Sequence, residues 1–185
     1  IFQKAPSVDV TNEEAKKQIQ DVTLTDEPID LFSLNVTREY LTTGRCGILV
    51  DMSTELATKP RPYWRLYAAE DIVNWKFRNL GGDKELCFVV LREFVEEQDP
   101  EDEFCIESVE QYRVLRLSDA GVYTQQVYTF VSEQQIVTTG TTGIKSEKKK
   151  EFVAGPILTP TRRNIPLNFI PFFFCHISGL RFSPL

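Results

Sequence analysis

Histidine is nearly missing from this chain: His176 is the only one among 185 residues. That excludes a multi-histidine metal site and leaves one candidate base for nucleophilic catalysis. Cys175 precedes it, but neighbours on a strand point to opposite faces, so a Cys175/His176 dyad is geometrically poor and no catalytic centre is expected. Cysteine is sparse too. Cys46, Cys87, Cys105 and Cys175 lie scattered through apolar surroundings, without the paired spacing of zinc or redox sites, and they read as buried free thiols. No structural metal and no cofactor are expected.

Long apolar runs and an excess of basic charge are also lacking. Apolar runs such as 87–91 and 172–175 fall far short of the ~20 residues that a membrane-crossing helix requires. Lys and Arg number 21 against 27 acids, for a net charge of -6, the opposite of the basic face with which a protein grips duplex DNA. Tight, salt-sensitive DNA binding is not expected. The acids of 96–103 lack the Asp-x-Asp-x-Asp-Gly order that sets oxygen ligands around calcium, and read as a solvated loop. Gly140, Gly143 and Lys145-Ser146 imitate a phosphate-binding loop only superficially, for no strand-to-helix context surrounds them. The sequon Asn35-Val36-Thr37 falls inside a predicted helix, which argues against glycosylation.

What is present is a globular composition, 42% hydrophobic and 26% charged, at a length that fits one domain with a single core. Thr11 and Glu14 form a capping box ahead of Ala15, Ile19 and Val22, which predicts a short helix over 12–20. Asp30 is expected to cap a second helix whose Leu31, Leu34, Arg38 and Leu41 share one face and which Gly44 ends. Strands follow over 46–50, 63–67 and 75–80, with a helical turn or bend at 69–74. A glycine turn at 81–83 leads into a long strand over 85–95, apolar on both faces. The runs 109–117 and 122–131 make the strongest hairpin, around Ser118-Asp119-Ala120-Gly121.

The expectation is therefore an α+β fold, mainly an antiparallel sheet with two N-terminal helices, in one domain over 1–185. Within it, 1–44 is a helical lead-in, 45–132 the sheet core, 133–151 a flexible loop or hairpin tip, and 152–185 the closing strands. Ile1 in place of an initiator methionine, and an apolar stretch still unfinished near the end, predict a piece of a longer chain.

Tyr63, Trp64, Tyr67, Trp75 and Phe77 interleave with Arg61, Arg65, Lys76 and Arg78, a composition that base-stacking sheets share. A core face alternating with a solvated face is the plainer reading. Interface use comes next, since Trp, Tyr and Arg anchor protein contacts. Trp64, Arg65 and Trp75 are thus candidate interface residues, together with Arg162 and Arg163 ahead of the terminal aromatic run. Composition and spacing stop at a sheet-dominated, non-enzymatic domain.

Longer strings carry the reading further. Leu41-Thr42-Thr43-Gly44-Arg45-Cys46-Gly47-Ile48-Leu49-Val50-Asp51 and Pro62-Tyr63-Trp64-Arg65-Leu66-Tyr67-Ala68-Ala69-Glu70-Asp71-Ile72-Val73-Asn74-Trp75 are two of them. Val89-Val90-Leu91-Arg92-Glu93, Gln111-Tyr112-Arg113-Val114-Leu115-Arg116-Leu117 and Thr159-Pro160-Thr161-Arg162-Arg163 follow, the last leading to Pro166-Leu167-Asn168-Phe169-Ile170-Pro171-Phe172. In this order, over about 41–174, they resemble the portal proteins of tailed bacteriophages.

The resemblance implies a wing-like segment of a head-tail connector, a ring of about twelve copies through which DNA is packaged and ejected. It implies self-association, capsid and scaffold proteins as partners, and terminase and neck proteins bound through stem and clip segments that cannot be read in this chain. DNA passes without sequence-specific binding, no membrane is involved, and the location implied is the virion, or the bacterial cytoplasm during assembly. The rival expectation is a β-rich virion adaptor or ligand-binding module using the Trp64/Trp75 face.

Overall fold

A computed structural model describes residues 8–52, 61–98, 102, 104–139 and 143–176, with the side chains of 80, 131–139, 143–150 and 176 left aside. Two helices, α1 (Glu13–Gln20) and α2 (Ile29–Thr43), precede β1 (Arg45–Met52), β2 (Pro62–Tyr67) and a 3-10 turn at Ala69–Asp71. Then come β3 (Ile72–Leu80), β4 (Asp83–Gln98), β5 (Ile106–Leu117), β6 (Tyr123–Thr139), β7 (Gly143–Leu158), β8 (Thr161–Arg162), β9 (Ile165–Pro166) and β10 (Phe172–His176). The fold is α+β, with two N-terminal helices and mainly antiparallel strands. Among the described residues, no helix is long and apolar enough to cross a membrane. The sequence reading takes the chain as one domain, whereas its internal contacts fall into two compact units. Unit one runs to Ile72 and resumes at Pro171, and unit two is Val73–Ile170.

In unit one, α1 is capped by Asn12 rather than by the expected Thr11. The Asn12 Oδ1 accepts from the N–H groups of Glu14 (2.8 Å) and Ala15 (3.3 Å), satisfying two donors that a first turn otherwise leaves open. α2 starts at Ile29 after Pro28, so Asp30 sits in the first turn instead of at the cap. Its inward residue is Phe32, edge-on to Trp64 with ring centroids 5.6 Å apart, while Leu31 and Leu41 of the predicted apolar face are exposed. The helix turns toward the sheet that exists, and that sheet is offset from the leucine stripe. Gly44 closes the helix at φ 76°, its N–H donating to the Tyr40 carbonyl at 2.8 Å, and β1 leaves at once.

β1 is the middle strand of an antiparallel sheet ordered β10-β1-β2. Tyr67 stands opposite Gly47 on one side, and Phe174 on the other. A Cβ at Gly47 would lie 2.1 Å from the tip of the Phe172 ring, so only glycine admits this aromatic cover. Leu49, Tyr67 and Phe172 are buried around it.

Unit two is a five-stranded antiparallel sheet in the order β3-β4-β5-β6-β7, with a short β8-β9 hairpin beside it. The predicted central hairpin is present: Leu117 pairs with Tyr123 across a turn in which the Gly121 N–H donates to the Ser118 carbonyl at 3.0 Å. Arg78 ties this turn to β3, bonding Glu85 at 2.7 Å, the Ser118 carbonyl at 3.0 Å and Asp119 at 3.1 Å. Its hydrogen bond to Glu85 raises the guanidinium pKa further.

One segment departs from expectation, and another takes one of two expected forms. The acidic block begins inside β4, because the ladder with β5 continues through Glu96↔Ser108, Glu97↔Glu107 and Gln98↔Ile106. The rest of that block lies outside the described residues, apart from an exposed Asp102. Of the two alternatives for 133–151, the backbone forms the hairpin, with β6 and β7 paired as far as Thr139↔Gly143. Its tip at 140–142 lies outside the described residues.

Candidate interaction surfaces

The five predicted interface residues do not fall on one element or in one unit. Trp64 and Arg65 are half-buried neighbours on β2 in unit one. The Trp64 backbone N–H donates to the Val22 carbonyl at 2.7 Å, and the residue lines two grooves. The smaller, about 400 Å³, runs past Phe32, Tyr63, Arg65 and Glu27, and the wider one, about 990 Å³, passes α1. Gln18 and Arg61 hold α1 against β2: Gln18 Nε2 donates to the Pro62 carbonyl at 2.6 Å, and Arg61 pairs with the Asp21 carboxylate.

Trp75 belongs to unit two and is only 7% exposed, so it serves as core there. Alternation of aromatic and basic residues reads the same for a groove wall and for a buried ring, and Trp64 and Trp75 take one role each. Arg162 and Arg163 are exposed on the β8-β9 hairpin, whose turn residues Arg163 and Asn164 both have positive φ, 53° and 64°. That is the backbone of a type I′ turn, which Asn favours at little strain.

A surface that sequence reading missed lies on unit two. Register places Phe88, Val90, Arg92 and Phe94 of β4 beside Glu110, Tyr112, Val114 and Arg116 of β5, then Gln126, Tyr128 and Phe130 of β6, and Phe152 of β7, on one face. Tyr112, Phe130 and Phe152 form a three-ring cluster with centroids 4.0–5.8 Å apart. Arg92 lies over Phe94 at 5.5 Å, and Arg116 near Phe88 and Tyr128 at 5.8 and 6.0 Å. Phe94 and Phe152 are 55% and 52% exposed. Large rings with arginines stacked on them are the side chains that protein interfaces concentrate. Tyr112 donates its hydroxyl to Glu110 at 2.8 Å, and this hydrogen bond, followed by burial, raises its pKa, so the ring remains a neutral donor.

The opposite face of the same strands holds a buried charge. Glu93 is 2% exposed and receives Arg113 Nε at 2.8 Å, Arg113 Nη2 at 3.3 Å and Gln111 Nε2 at 2.7 Å. Arg113 Nη1 in turn reaches Gln125 Oε1 at 3.3 Å, and the Tyr123 hydroxyl stands 3.5 Å from the same oxygen. The two-pronged arginine-carboxylate pair and its amide partners thus join side chains of β4, β5 and β6 across one face.

Unit one also joins two cysteines that sequence reading treats as scattered: Cys46 of β1 stands directly opposite Cys175 of β10. Among the described residues, no group of three or more His, Cys, Asp or Glu side chains is arranged to hold a metal ion. Compared with known proteins, the sequence matches no family model and no curated protein.

Proposed function

We propose that this chain is an assembly component without enzymatic activity, the outer wing of a phage portal ring in the virion. The observation that carries the reading is where the portal-like strings fall. The string 41–51 covers the end of α2, the Gly44 turn and β1, 62–75 covers β2 and the turn after it, and 166–172 reaches β10. The first two supply the neighbouring strands β1 and β2 of one sheet, the last reaches only the first residue of β10, and the strings 89–93 and 111–117 lie on the paired strands β4 and β5 of unit two.

The open aromatic-arginine face of unit two supports the same reading, as a surface for capsid or scaffold protein. The net charge of -6 fits a wing that leaves DNA ungripped. Co-sedimentation with capsid and scaffold proteins of the same phage tests the partner assignment. The native protein is expected to pellet with them, and Phe94→Asp with Phe152→Asp to stay in the supernatant while keeping its circular dichroism. Equal pelleting of the two, or no pelleting by either, counts against this surface.

A further inference from the structure

Cys46 and Cys175 come from opposite ends of the chain and face each other on the antiparallel strands β1 and β10, within unit one. Directly opposed residues of such a pair project their side chains on the same side of the sheet. The hydrogen bond from the Val50 N–H to the Pro171 carbonyl, 2.9 Å, sets the alternation of this ladder. Counting back along the register, Ile48 and Cys46 share the hydrogen-bonded type of position, where facing Cα atoms stand about 5.5 Å apart. A disulfide spans about 4.4–6.8 Å between Cα atoms, a range that includes this pair, and a small approach of the edge strand brings the Cβ atoms to the roughly 4 Å that the bridge needs.

Both thiols are free. Cys46 is fully buried beneath α2, its Sγ 3.8 Å from the Val36 carbonyl oxygen, whereas Cys175 is half-buried on the edge strand. Burial, then the charge of a Cys175 thiolate and a hydrogen bond to that sulfur, push the Cys46 thiol up to about 12. Cys46 is thus the member that keeps its proton, and the edge cysteine is the one a small oxidant meets. The remaining cysteines, Cys87 and Cys105, belong to unit two, where the Cys87 thiol donates to the Lys76 carbonyl at 3.3 Å.

We propose that Cys46 and Cys175 are a reversible dithiol that a peroxide converts into a disulfide stapling β10 to β1. In the first step the Cys175 thiolate sulfur attacks one peroxide oxygen. The O–O bond breaks, sulfenic acid forms, and the departing hydroxide takes up the proton that Cys175 had released. In the second step the Cys46 sulfur attacks the sulfenic sulfur. The S–S bond forms as the S–O bond breaks, and the hydroxide leaves as water with the Cys46 proton. Two thiols lose two electrons and two protons, and the peroxide leaves as two waters. A dithiol reductant reopens the bond by exchange, becoming a cyclic disulfide itself. The staple holds the strand with which the chain, after building unit two, returns to the sheet of unit one.

The test treats the native folded protein with hydrogen peroxide, alkylates what remains free, and digests without reduction for peptide mass spectrometry. The expected product is one peptide pair joining Cys46 and Cys175 of the same chain, lighter by two hydrogens, released by dithiothreitol and abolished by Cys175→Ser. The native-protein result stands without a variant, so a poorly folding Cys46→Ser does not weaken it. Sulfinic acid at Cys175 with no link, a link to Cys87 or Cys105, a link between chains, or linkage confined to urea-unfolded protein overturns the proposal.

Discussion

The two units build their sheets in opposite ways. Unit two is a run of neighbours: β3 to β7 pair in chain order, each strand turning back on the last. Unit one is assembled from afar, because β1 takes β2 on one side and on the other β10, which follows only after all of unit two. The interiors differ as well. Unit one packs aromatic rings onto a bare glycine, whereas unit two encloses a paired glutamate and arginine. Local pairing tolerates a demanding polar interior because the ladder already aligns the partners. Non-local pairing closes a long loop first, and relies on tight apolar fit once closed.

The chain has two tryptophans, Trp64 in unit one and Trp75 in unit two, so Trp→Phe variants give one fluorescent reporter per unit. The largest expected effect is from Arg113→Ala. It leaves the Glu93 carboxylate buried without its ionic partner and should lower stability by about 3–5 kcal/mol in urea titrations followed at Trp75. Replacing the pair together, Glu93→Leu with Arg113→Met, should recover most of that loss. An equal loss at Trp64 would show that the units unfold as one.

Gly47→Ala comes next, expected to cost about 1–3 kcal/mol at Trp64 because the new methyl meets the Phe172 ring. Phe172→Leu should cost less in the Gly47→Ala background than alone, a coupling that a double-mutant cycle reads directly.

The Cys46 thiol gives a pH signature confined to unit one. Its folded pKa is raised from the ordinary 9.0 to about 12, so the folded state holds this proton more tightly than the unfolded chain does. Stability is therefore untouched below about pH 9 and falls as pH rises toward 12, by about 1 kcal/mol at pH 10 from this group. Subtracting the same titration of Cys46→Val isolates the effect, and a difference that stays flat to pH 11 would contradict the buried thiol pair. The smallest effect is at the helix cap: Asn12→Ala should cost about 1 kcal/mol or less at Trp64.

Legibility followed the same division. The meander of unit two was readable because each of its turns is local: Ser118 to Gly121 announces β5 and β6, and Gly81-Gly82 announces β3 and β4. The β8-β9 turn at Arg163-Asn164 carries only a weaker signal, an asparagine without a glycine. The strand that absorbs Glu96 and Glu97 was not readable, since charge favours a loop only when no partner strand is in reach, and β5 is in reach here.

The candidate surfaces were harder still. Phe94, Tyr112, Phe130 and Phe152 come from four strands, and only register brings them to one face. Cys46 and Cys175 meet because β10 returns to β1, a pairing that no local pattern encodes. Trp64 and Trp75 share the same sequence texture, yet one lines grooves and the other is core.

The proposal that this chain serves assembly is tested most directly by the mass of the protein expressed from the complete gene, measured by light scattering with and without capsid and scaffold proteins. Closed rings of about a dozen copies are the result expected of a portal. A protein that stays monomeric at high concentration, and still fails to ring when those partners are added, would contradict the portal reading and favour a stand-alone virion adaptor.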